Sequence, residues 1–287
     1  MRILSTIICF GLAVGALPSD AAQMAAPPDF SGAWARSTFG FERPATGPGP
    51  IGRYHNQSNA GGNFENPILT APAAAIVKQR SEILRSGRDY PNPSLNCWPM
   101  VSPYIFRVQE MQMLQKKDEV VFLFMQDHQI RRVRLNSMHP AKVTPSWYGD
   151  SIGHYEGDTL VVDTVGAKVA REPVLDMYGS PYTDALHVTE RYRLVDYQVA
   201  KAAQDKNIRD AGPVATEQAA AVDEGYKGKG LQIEFTVEDK NVFKRPWSAV
   251  VTWRRAGGWV ENVCAENAYE YYSGVLTDIP RADRPEF

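Results

Sequence analysis

The chain contains no CxxC, HxxxH or HxH pair, and its five histidines (His55, His128, His139, His154 and His187) are scattered. A zinc centre of ordinary local spacing is therefore excluded, and no metal is expected. There is no Gly-Lys-Ser/Thr phosphate loop and no alternation of strands with helices, which argues against nucleotide binding on a doubly wound sheet. An excess of either charge is also missing, with 31 Lys and Arg against 33 Asp and Glu and a formal net charge of −2. Nucleic acid and anionic membranes select a concentrated basic surface, so neither is an expected partner.

Long apolar runs are missing beyond residue 17. Residues 3–17, ILSTIICFGLAVGAL, follow Arg2 and lead into Pro18 and SDAAQ, the layout of a secretory signal peptide. The run is shorter than the roughly 20 residues that span a bilayer core. Residues 1–22 are expected to be removed, giving a periplasmic or secreted protein without a membrane anchor. Cys9 goes with the signal. Cys97 and Cys264 remain as an even pair in an oxidising compartment, and a disulfide between them is expected.

With 44% hydrophobic and 22% charged residues, the chain is ordinary globular material. Residues 23–103 read as an N-terminal wrap, with a first strand at Gly32–Trp34 and a helix over residues 70–89 that stops near Gly87. Residues 104–287 read as the barrel domain. Its strand segments are YIFRVQEMQMLQK, EVVFLFMQ, QIRRVRL, DSIGHY, TLVVDTV, ALHVTERYRLVD, LQIEFTVED, SAVVTWRR and WVENVC. Residues 197–230, rich in Ala and charge, form a partly helical insertion. An antiparallel meander of this length covers its apolar face and its edges by closing. The expected fold is all-β, a lipocalin-like barrel. Gly32-Ala33-Trp34 matches the lipocalin G-x-W, whose tryptophan plugs the barrel floor beside a late-strand arginine, here Arg254 or Arg255.

In GDSIGHYEGDTLVVDT a hairpin is expected with Gly157-Asp158 at its tip. Glu156 and Asp158 then serve the turn, while His154 and Asp163 share a face as diagonal neighbours. A carboxylate beside an imidazole prepares a general base. MQDHQIRRVRLNSMHP puts His128, Ile130, Arg132 and Arg134 on one face, with Arg131, Val133 and Leu135 on the other. In LHVTERYRLVD, Glu190 is the odd member of an apolar face; it must pair with an arginine or be protonated, and either points to a site. His187 and Arg191 share the opposite face. Trp147, Tyr155 and Trp247 suit a cavity for a flat ligand.

The chain resembles a family of exported bacterial proteins, mostly of unassigned function. The resemblance rests on PDFSGAW, CWP, GDSIGHYEGDTLVVDT, LHVTERYR, RPW at 245–247 and CAEN at 264–267. It covers nearly all of the mature chain, and the insertion at 197–230 departs from the pattern. It implies a barrel-like fold and a relation to cofactor-independent enzymes that decarboxylate or deformylate lignin-derived phenylcoumarans.

The resulting expectation is a cofactor-free periplasmic lyase acting on a small aromatic substrate in a barrel cavity. His128 or His154 would be the base, with His187 a further candidate. Arg132 or Arg191 would clamp an anion, Glu190 or Asp163 would be acid or orienter, and Trp147, Tyr155 and Trp247 would form walls. The alternative is a lipocalin-like binding protein for an apolar or aromatic molecule. A secreted hydrolase is a third, weaker reading.

Overall fold

The computed structural model describes residues 26–36, 38, 40–56, 61–107, 110–126, 129–211, 222–258 and 264. The expected signal peptide, His128 and the WVENVC strand apart from Cys264 lie outside the described residues.

Nine strands close into a barrel in chain order: β1 (Gly32–Ala35), β2 (Glu110–Gln115), β3 (Glu119–Phe124), β4 (Gln129–Leu135), β5 (Asp150–Glu156), β6 (Thr159–Val165), β7 (His187–Val195), β8 (Gly230–Glu238) and β9 (Trp247–Arg255). Alternation writes the two faces. In β4, Arg131, Val133 and Leu135 are buried while Ile130, Arg132 and Arg134 are exposed, the period-2 pattern of a strand with one wet face. β1 closes the ring by pairing with both β2 and β9.

Two features depart from the expected meander. β4 and β5 pair in parallel, Arg134 opposite Ile152 and Leu135 opposite Gly153. The connection 136–149 carries the chain back along β4 before β5 begins, which a parallel pair requires. The second departure is at Tyr104–Arg107, expected to begin a strand; it is a short 3-10 turn with Tyr104, Ile105 and Phe106 buried. Phe106 packs 5.6 Å from Phe235, and the Arg36 guanidinium donates to the Phe106 carbonyl at 2.9 Å. Trp34, Phe122, Phe124, Tyr192, Phe235, Trp247 and Trp253 are also fully buried. The barrel interior is therefore occupied by the protein's own side chains.

The expected contact between Trp34 and a late-strand arginine is present. The Arg255 guanidinium lies 4.4 Å over its ring, and the indole N–H donates to the Phe30 carbonyl at 2.9 Å. Helix α1 (Ala71–Arg85) buries Ala73, Val77, Arg80, Ser81 and Ile83. Its Arg80 donates to the carbonyls of Pro173 and Gly179, fastening the helix to the β6–β7 connection. Gly87, at φ +77°, takes the left-handed turn that ends it. The first part of the insertion is helix α2 (Tyr197–Ala211). Its Gln204 amide donates to the Ala35 carbonyl at 3.2 Å, so α2 covers the seam where β1 meets β9. Cys97 and Cys264 form a disulfide across 167 positions of sequence. Among the described residues, no helix is long and apolar enough to cross a membrane.

Candidate functional site

The β5–β6 hairpin takes the expected register, Glu156 opposite Thr159, His154 opposite Val161 and Ile152 opposite Asp163. Gly157 has φ +60° whereas Asp158 does not enter the positive region, as a Gly-first II′ turn demands. His154 does not meet Asp163. Its Nε2 lies 3.1 Å from Glu156 Oε1, with both side chains about half exposed.

Asp163 instead receives two other histidines. His187 Nε2 lies 2.8 Å from Asp163 Oδ2, and His139 Nε2 lies 3.0 Å from Oδ1. His187 begins β7, which pairs with β6 so that Asp163 and Thr189 are opposite. His139 comes from the 136–149 connection, the chain reversal that makes β4 and β5 parallel. An ionised carboxylate only accepts, so each Nε2 carries a proton and His187 keeps its Nδ1 lone pair when neutral. The His187 hydrogen bond, opposed by partial burial and aided by His139, holds the Asp163 carboxyl below its usual range. The same bond raises the His187 pKa. Behind His139, its Nδ1 lies 3.7 Å from Asp150 Oδ1, and the Arg134 guanidinium holds that carboxylate at 2.8 Å. The result is a half-exposed carboxylate between two imidazoles on the outer face of the barrel.

Glu190 is fully buried and answers the other expectation. It accepts from Arg131 Nη1 at 2.9 and 3.0 Å, from Tyr192 Oη at 2.7 Å and from the Ser102 hydroxyl. Arg131 also donates to Ser151 Oγ at 3.1 Å and Thr164 Oγ1 at 2.7 Å. Burial first, and then the Glu190 charge, push the Tyr192 phenol well above its usual range. Every polar group of Glu190 is satisfied inside a closed core, so its part is to neutralise Arg131.

The remaining candidates do not converge. Arg132, on the exposed face of β4, donates to Glu119 at 2.6 and 2.8 Å. Arg191 donates to Glu156 at 2.7 Å on the surface. Trp247 is sealed in the core against Phe235 and Phe243. Tyr155 is half-buried, and its hydroxyl accepts from the Gln115 amide at 2.7 Å. Trp147 lies on the same connection as His139, with Lys168 Nζ 4.9 Å over its ring. Strand alternation separates these side chains, since residues one apart face opposite sides of the sheet.

Two sequence signals lie outside the expectations above. Gly149-Asp150-Ser151-Ile152-Gly153 has the spacing of a hydrolase nucleophile elbow. Ser151 sits within β5, however, buried and bonded to Arg131 and Thr164, not exposed on a strand-to-helix turn. Gly47-Pro48-Gly49-Pro50-Ile51-Gly52 has dinucleotide-loop spacing, but no strand leads directly into it and only the single 3-10 turn Tyr54–Asn56 follows, not an α-helix. His139 is the site residue that sequence reasoning left in a turn; its partner lies across a loop, where strand register gives no guide. Among the described residues, no three His, Cys, Asp or Glu side chains are arranged to hold a metal ion. Matched against protein-family models, curated proteins and solved structures, the chain finds no counterpart.

Proposed function

We propose that the protein is an exported acid–base enzyme, a carbon–carbon lyase acting on a phenolic or other aromatic acid, with Asp163 and its two histidines as the working groups. The observation that carries this reading is the His187–Asp163–His139 constellation, in which one carboxylate holds two imidazoles and stays half exposed. His187 acts as the base. Asp163 fixes its Nε2–H and leaves Nδ1 to take a phenol or hydroxyl proton, while stabilising the imidazolium that results. Loss of CO2 or formaldehyde from an aromatic side chain also needs an acid for the oxygen that departs, and the His187 imidazolium returns the proton it took, while His139, with its Nδ1 buried, serves to orient Asp163. The export in this reading is supported by the signal-like N-terminal sequence and by the Cys97–Cys264 disulfide.

The test is incubation of the purified protein with a panel of lignin-derived aromatic acids and phenolic dimers, followed by mass spectrometry. Turnover with loss of CO2 or formaldehyde is expected, falling about 100-fold or more in His187→Gln and Asp163→Asn. Full turnover in both variants removes the assignment, and binding of the panel without a mass change removes the lyase reading.

A further inference from the structure

Arg134 stands one strand behind the Asp163 constellation. Strand pairing sets the row: Arg134 of β4 is opposite Ile152 of β5, and Ile152 is opposite Asp163 of β6. These side chains share the outer face of the barrel, with Asp150 on the same face two residues before Ile152. His139 reaches the row from the 136–149 connection and sets its Nε2 on Asp163.

The placement of that ring rests on its backbone. Its Nδ1 is buried without a hydrogen-bond partner, 3.7 Å from Asp150 Oδ1, too far for a hydrogen bond. Met138, the residue before it, has a side chain that is 85% exposed, so packing of Met138 does not hold the chain there. Arg134 does. Its Nη2 donates to the Met138 carbonyl at 3.2 Å and to Asp150 Oδ2 at 3.0 Å, and lies 2.8 Å from Asp150 Oδ1. The Asp150 side chain is only 9% exposed, and a carboxylate buried that far is held by its cation. One guanidinium thus ties the start of β5 to the residue that precedes His139. At the other end of the short span, Asn136 turns at φ +50° and donates its N–H to the Gly153 carbonyl at 2.7 Å.

We propose that Arg134 is a positioning residue for the Asp163 constellation: by holding the Met138 carbonyl and Asp150 together, its guanidinium keeps His139 on Asp163. The proposal deepens the lyase reading and rests on it only where turnover is measured. Its consequence runs through Asp163. The His187 bond, against partial burial, and then the His139 bond hold the Asp163 carboxyl below its usual range. His187 in turn faces Asp163 and, on β8, Glu238. Removing the His139 contact therefore moves the Asp163 titration upward.

Carbon-13 NMR titration of the Asp163 carboxyl in the full mature chain tests it, with melting temperatures confirming the fold of each variant. Arg134→Met is expected to raise the Asp163 midpoint, as is His139→Ala. In the His139→Ala background Arg134→Met should add no further shift, because the contact through which it acts is already gone. An equal shift in both backgrounds would show that the Arg134 charge acts on Asp163 directly, and an unchanged midpoint in Arg134→Met would show that His139 stays in place without it; either overturns the proposal. In the lyase assay, Arg134→Met should lower kcat about tenfold with KM unchanged, and undiminished kcat also overturns it. A parent protein without turnover ends the lyase reading and leaves the titration to decide the role of Arg134.

Discussion

Glu190 Oε2 lies 2.9 Å from Arg131 Nη1 in the closed interior of the barrel, with both side chains at 1% exposure or less. Two charges in that setting are tolerable only together, because burial makes each costly alone. Arg131→Met is therefore expected to destabilise the protein by about 3–5 kcal/mol by stranding the Glu190 carboxylate. Arg131→Met combined with Glu190→Met should recover most of that loss. Urea unfolding of the two variants measures both effects, and a double variant no more stable than the single would contradict the account.

This pair also marks how far the sequence can be read. The apolar face of LHVTERYRLVD isolates Glu190 as the carboxylate that needs an arginine, and QIRRVRL offers three. Alternation already separates Arg131 from Arg132 and Arg134, yet the inward face follows only from knowing that Val133 and Leu135 are buried. The barrel and its hairpin register were legible because strand alternation and a Gly-first turn are local signals. The parallel β4–β5 step was not, since the 136–149 connection has no periodicity that shows the chain doubling back. The same connection hid His139, and with it the site.

Stability should depend on pH through Asp163 and His187. The Asp163 pKa is lowered, so its contribution is present above the ordinary carboxyl value and is lost as pH falls through the lowered one. The His187 pKa is raised, so its contribution is complete below the ordinary imidazole value and is lost as pH rises through the raised one. The pair therefore contributes most between about pH 4 and 6.5. With both side chains more than a third exposed, solvent screening limits the effect to under about 1 kcal/mol. Melting temperatures across the acidic and alkaline range should show this bias flattened in Asp163→Asn, and parallel curves for the two proteins would refute the linkage.

Two residues before Trp34, Gly32 has φ +124°, and a Cβ there would lie 1.8 Å from Arg255 Nη1. Gly32→Ala is thus expected to cost about 1–3 kcal/mol from backbone strain, with the clash in addition. Arg255→Met removes the cation from above Trp34 and should cost about 1 kcal/mol. Because the clash depends on the guanidinium, Gly32→Ala should cost less in the Arg255→Met background than alone. Strict additivity of the melting-temperature losses would show that the two residues do not meet.

The hairpin tip isolates the backbone contribution to the motif from its charges. Gly157 has φ +60°, and a Cβ there would meet nothing within 4 Å, so a larger side chain suffers only from the left-handed conformation. Gly157→Ala is expected to lower stability by about 1–2 kcal/mol, and Gly157→Asn by less, since asparagine tolerates that region. Neither change touches Asp163, His187 or His139, so any activity measured for the parent should survive in both variants. Denaturant unfolding of the pair checks the order; an alanine variant as stable as the parent would mean that the turn does not hold the II′ geometry. That order would also separate the two roles crowded into GDSIGHYEGDTLVVDT, since Gly157 would then matter to the turn and Asp163 alone to chemistry.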